Sequence, residues 1–283
     1  MRTPTRRPAA LAALALALPL CWSLGLSPGP AGAADRDRFD TRVFARVQHP
    51  GFPAYVHAHR NGRVYAGTYT NPQGDSQPSL VREWTGDGML QRTWTVPGQD
   101  LSRDHGVQVA HQDRLGRLVL LEKSRPRVMT LDPRTGRFRT WARIPDLPTC
   151  STGEQPCSPN AVDQGPIPNY ATWGPGGALF VSDYAQAVIW RLDRRMQTPR
   201  PWFTSPALDG SEFGTAGIVF RPRQRDLLVT QQSTAVDASA PTNGKLYRLP
   251  VRPSGEPGRL RTLWTSLPGD LPDGFGIGRS GRI

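Results

Sequence analysis

A strand–turn–strand unit recurs along this chain and limits the possible folds more than any other feature. Its clearest copy is Tyr170-Ala171-Thr172-Trp173, the turn Gly174-Pro175-Gly176-Gly177, and then Ala178-Leu179-Phe180-Val181-Ser182. After a polar link comes Val188-Ile189-Trp190-Arg191-Leu192. Gly and Pro supply the turns, and the β-branched and aromatic residues between them suit a pleated surface. Sister copies start at residues 54–58, 106–110, 216–220 and 274–277. Their turn residues Gly62, Gly116, Gly177, Asp226 and Gly281 recur at intervals of 54, 61, 49 and 55 residues. A third strand follows in each copy, as at 127–131 and 245–249. An outer strand with an aromatic comes next, at 139–141, 201–203 and 262–264.

Four strands per repeat of roughly 50 residues is the pattern of a β-propeller blade. A blade buries its apolar surface only against its neighbours, so such a chain is expected to curl into a ring. The 29 glycines and 29 prolines fit many short strands and leave little room for long helices, while 37% hydrophobic residues still suffice for a core at this length. The fifth copy stops inside its second strand. The expectation is therefore about four and a half blades in this chain, a propeller incomplete at its C-terminus.

Residues 1–33 read as a secretory signal rather than as fold. Arg2, Arg6 and Arg7 open a run rich in Ala and Leu, and Ala31-Gly32-Ala33 offers a small-residue cleavage site. The propeller domain is then 34–283, exported and free of the membrane after cleavage. Its two remaining cysteines, Cys150 and Cys157, lie in Cys-Ser-Thr-Gly-Glu-Gln-Pro-Cys, a loop where a close pair in an exported protein reads as a local disulfide. The formal charge of +12 is almost all arginine, since Lys123 and Lys245 are the only lysines. The arginines are scattered through turns rather than gathered in a run, so no nucleic-acid partner is expected. No Gly-x-Ser-x-Gly, His-Glu-x-x-His or phosphate loop occurs, which argues against a serine hydrolase, a zinc protease and a nucleotide enzyme.

The repeat, together with Leu271-Pro272-Asp273-Gly274-Phe275-Gly276-Ile277-Gly278-Arg279-Ser280-Gly281-Arg282, resembles the SMP-30/gluconolactonase/LRE-like family. The resemblance implies an all-β fold: a six-bladed β-propeller of four-stranded antiparallel blades. It also implies a divalent metal, calcium or zinc, at one mouth of the channel, where it activates water to open a lactone of a small sugar-derived or other polar molecule. Residues just before each innermost strand ring that mouth, so polar groups there converge from different blades. The family's metal aspartate falls on Asp273, and Asn169 stands one blade before the position of the family's metal Asn, where the family more often places a substrate-binding Asn. Ala216 and Gly51-Phe52-Pro53 occupy the positions of the family's other Asn and Glu ligands.

From these positions come the candidates. Asp273, Asp104 and His105 are the candidate catalytic groups, Asn169 and Thr215 the substrate contacts, and Asp273 and Asn169 the metal ligands. Glu212 is a substitute carboxylate, and His57 with His59 places two imidazoles on one strand face. The alternative function is a non-catalytic propeller that binds a protein or a glycan.

Overall fold

In a computed structural model, the structure describes residues 41–49, 51–70, 75–194, 198–210, 214–234, 243–278 and 280–283. The leader 1–33 and Glu212 lie outside the described residues. One compact unit spans Val43–Ile283.

Sixteen strands make four antiparallel four-stranded blades in chain order among the described residues. Blade 1 holds β1 (Phe52–Ala58), β2 (Val64–Tyr69), β3 (Leu80–Trp84) and β4 (Leu90–Thr95). Blade 2 holds β5 (Val107–Gln112), β6 (Leu118–Glu122), β7 (Arg127–Asp132) and β8 (Arg137–Arg143). Blade 3 holds β9 (Pro168–Trp173), β10 (Leu179–Asp183), β11 (Val188–Leu192) and β12 (Arg200–Thr204). Blade 4 holds β13 (Thr215–Arg221), β14 (Asp226–Gln231), β15 (Asn243–Pro250) and β16 (Arg261–Pro268). The innermost strands β1, β5, β9 and β13 pack side by side in that order. All-β blades in a propeller arrangement are thus what the repeat required.

The core is divided among the seams between blades. Tyr65 and Val81 of blade 1 pack with Val107, Leu118 and Leu120 of blade 2. Val119 and Leu121 of the same strand β6 turn the other way, to Leu179, Val181 and Trp190 of blade 3. Phe180 and Ile189 of blade 3 alternate again, to Leu227 and Val229 of blade 4. Successive side chains on a strand point to opposite faces, so a middle blade feeds two seams at once. That explains why β6 and β10 are apolar-rich runs buried at every position instead of alternating with polar residues.

The fifth copy differs from the expectation. Its turn forms, with Gly278 donating to the Arg282 carbonyl at 2.8 Å and Gly281 to Gly278 at 2.9 Å. Yet residues 271–278 contain no strand. This segment instead lies along blade 4. The Thr230 hydroxyl donates to the Asp273 carbonyl at 2.8 Å. A side chain on Gly217 would collide with that carbonyl and with the Phe275 ring, so the glycine permits the close approach.

Candidate functional site

The inner strands begin at one end of the channel, here the front, and finish at the back. The front is where sequence reasoning put the site. Asp104 is mostly exposed and faces Lys123 Nζ at 3.4 Å. His105 is buried, with Nε2 at 2.8 Å from the Gln77 carbonyl and 3.1 Å from Asp75 Oδ1, and Nδ1 at 3.2 Å from the Arg103 carbonyl. Both its ring nitrogens are taken by blade 1 and its own loop. Asn169 is buried, and its Oδ1 accepts from Gln108 Nε2 at 2.6 Å across the seam between blades 2 and 3. Gln108 Oε1 is left buried without a partner. The Thr215 hydroxyl has two acceptors in reach, the Leu208 carbonyl at 3.0 Å and Gln231 Oε1 at 2.6 Å.

Asp273 stands apart from these. It is exposed, and it lies close enough to Tyr170 for its charge to act on that phenol, whose hydroxyl closely approaches Gly274. Tyr55 packs on Tyr170 with ring centroids 4.4 Å apart and an angle of 61°, an edge-to-face contact spanning blades 1 and 3. The Tyr69 ring covers Gly106, where a Cβ would overlap it. Burial raises the pKa values of Tyr55, Tyr69 and Tyr170, and the Asp273 charge raises each further. All three phenols therefore stay protonated as hydrogen-bond donors. The sequence pointed to Asp273 but gave no sign of Tyr55, Tyr69 and Tyr170 near it, because they belong to three strands, β1, β2 and β9, distant in sequence from Asp273.

The front rim is braced by buried acids at the ends of second strands. Asp183 accepts the backbone N–H groups of Ile167, Ala185 and Gln186 at 3.0, 3.0 and 3.2 Å and the Trp190 indole at 2.8 Å. Glu122 does the same in blade 2, binding Ser124, Arg125, Arg127 and Gln99. The expected disulfide, Cys150–Cys157, is formed. It closes a loop whose Cys150 and Ser158 backbones pair at 2.9 Å, and the Ser158 hydroxyl ties that loop to the Gln186 carbonyl at 3.0 Å.

At the back, β1, β5 and β9 end around a cavity of about 900 Å³ that sequence reasoning did not single out. His57 and His111 face each other there with centroids 5.6 Å apart. Burial and the neighbouring imidazole lower the pKa of His57 to about 4, and burial lowers that of His111. His59 has both nitrogens engaged, at 3.0 Å with the Gly116 carbonyl and at 3.1 Å with the Asn61 N–H. The paired-imidazole metal site therefore lacks a free second ligand. Among the described residues no group of three or more His, Cys, Asp or Glu side chains is placed to hold an ion.

Solved structures share this architecture. A catalytically inactive variant of virginiamycin B lyase from Staphylococcus aureus, with quinupristin, aligns over 80% of this chain and 60% of its own at 15% identity and a TM-score of 0.53. A streptogramin B lyase aligns over 81% and 60%, at 15% identity and 0.51. A candidate gluconolactonase aligns over 82% and 69%, at 15% identity and 0.50. The fold is that of these lyase and gluconolactonase-like β-propellers. The chain spans about 60% of the length of the two lyases. No protein-family model matches the sequence, and no curated protein matches it by sequence.

Proposed function

We propose that this protein is an exported propeller that hydrolyses a small polar cyclic ester, such as a sugar-derived lactone, at the front mouth of its channel. The observation that carries the reading is the exposed Asp273 carboxylate beside Tyr170, whose hydroxyl closely approaches Gly274, with Tyr55 packed edge to face on Tyr170 and the phenols of Tyr55 and Tyr69 near enough to feel the Asp273 charge. Asp273 takes a proton from water as the water oxygen bonds to the ester carbon. Tyr55 and Tyr69 donate to the carbonyl oxygen as it gains charge, and Tyr170 orients the carboxylate. The ring C–O bond then breaks, and the proton passes from Asp273 to the departing alkoxide. Propeller neighbours that include a candidate gluconolactonase and two lyases support a small-molecule chemistry of this kind.

The donor set does not fit calcium or zinc. One carboxylate is met by neutral phenols, and Asn169 Oδ1 is already bound by Gln108. No step is therefore routed through a metal. Export rests on the leader pattern and is supported by the Cys150–Cys157 disulfide. The test is lactone hydrolysis by the full chain, with and without added calcium or zinc. Asp273→Asn is expected to cost about 10²–10⁴-fold in rate and Tyr170→Phe about tenfold. Unchanged turnover in Asp273→Asn overturns the assignment, and activity that appears only with metal overturns the metal-free route. Binding of a glycan or protein without turnover is the second reading. It is favoured by the internal commitment of His105, Asn169 and Thr215, and it predicts saturable binding with no hydrolysis in any arm.

A further inference from the structure

The cavity at the back of the channel is separate from the front mouth and has a chemistry of its own. Its volume of about 900 Å³ is in the range of small-molecule pockets. One part of the wall is aromatic. Trp141 of β8 and Trp173 of β9 stack with centroids 5.9 Å apart and planes within 26°. The Trp173 indole N–H donates to the Gln112 carbonyl at 2.8 Å, which fixes that ring. His111 meets Trp173 edge to face at 6.4 Å.

The other part is cationic. Arg114, Arg139 and Arg194 line the cavity, and none has an acidic partner among the described residues. The acidic residue in this lining, Asp113, is already bound by Arg117, with Arg117 Nε at 2.6 Å from Asp113 Oδ2. Burial lowers the pKa values of His57 and His111, so these two add no charge near neutral pH. His111 Nδ1 is within reach of both the Gln112 N–H at 2.8 Å and the Gln112 carbonyl at 3.0 Å, which holds the ring in place. Three exposed arginines without acidic partners beside a fixed indole pair suit one kind of guest. It needs a carboxylate to satisfy the guanidinium forks and a flat apolar body to lie along the rings.

We propose that this back cavity is a binding site for a planar organic anion, its carboxylate held by Arg114, Arg139 and Arg194 and its ring plane laid along Trp141 and Trp173. The site needs no turnover, so it stands or falls independently of the reaction at the front mouth. The experiment is calorimetric titration of the full chain with 2-naphthoate, its neutral twin 2-naphthamide, and the non-planar cyclohexanecarboxylate. Saturable naphthoate binding is expected, about tenfold or more weaker for each of the other two. The double variant Arg139→Gln/Arg194→Gln is expected to weaken naphthoate about tenfold while leaving the amide unchanged. Trp141→Leu, on a half-exposed outer strand where folding is tolerant of change, is expected to remove the preference for the planar acid. Equal binding of acid and amide overturns the anion assignment, and unchanged naphthoate binding in both variants overturns the location. Absence of saturable binding up to about 10 mM overturns the site altogether.

Discussion

At the front of the channel His105, Asn169 and Thr215 have their polar atoms bound by other parts of the chain, and Asp183 and Glu122 are buried under several donors each. At the back, Arg114, Arg139 and Arg194 face a cavity with no acidic partner among the described residues. The same residue classes thus serve opposite ends differently. At the front most polar groups hold blades and loops together, with Asp104 and Asp273 exposed, while at the back His59 and Asp113 are internally bound and these three arginines have no acidic partner among the described residues. Polar residues at strand ends of a propeller are therefore weak pointers to a site until their partners are known.

The largest test of this contrast is a matched pair of acid deletions. Asp183→Ala leaves four buried donors without their acceptor and is expected to cost about 3–5 kcal/mol in denaturant unfolding. Its counterpart at the back, Asp113→Ala, removes a half-buried turn acid bound to the Leu115 and Arg117 N–H groups and the Arg117 side chain. About 1 kcal/mol is expected there. Equal costs would break the contrast.

Next is the front loop. Replacing both Cys150 and Cys157 by Ser is expected to lower stability by about 2 kcal/mol, read as a shift in thermal midpoint, with naphthoate binding at the back unchanged. Loss of that binding would join the two ends into one unit.

A third test sits at the back and depends on pH. His57 stays neutral in the fold down to about pH 4, whereas an unfolded histidine titrates near its ordinary value. Between those values the unfolded chain takes up a proton that the folded chain does not. Stability is thus complete above about pH 6.5 and falls towards pH 4, by on the order of 2 kcal/mol. His57→Gln should flatten that slope, as measured by urea unfolding across the window. A slope that persists unchanged would assign it to groups elsewhere.

The smallest expected effect is Lys123→Ala, which removes the partner of exposed Asp104. It should change stability by about 0–0.5 kcal/mol. A larger loss would show that the front pair does more than decorate the surface.

Much of the fold was legible in local pattern. Val188 to Leu192 is a strand because alternate residues feed different seams, and the Gly and Pro between runs mark the turns. The fifth copy was misleading because its turn at Gly281 forms while residues 271–278 contain no strand and pack on blade 4 instead. The back cavity left partial marks: His57, His111, Trp141 and Trp173 are all at or near strand ends. Reading the last residues of the inner strands as closely as the first would have drawn attention to it.

The amino-acid order alone determined the period of the blades, the alternation of their strands and the pairing of Cys150 with Cys157. These depend on neighbours within a few residues or on a repeat that local chemistry repeats. Whether a polar side chain is spent or free was decided only by the tertiary structure. Asn169 is bound by Gln108, 61 residues away, and His105 by Gln77, 28 residues away. Trp141 and Trp173 meet only because adjacent blades pack face to face. Such partners are chosen by the packing of blades, where the cost of an unpaired buried group acts across the fold and not along the chain.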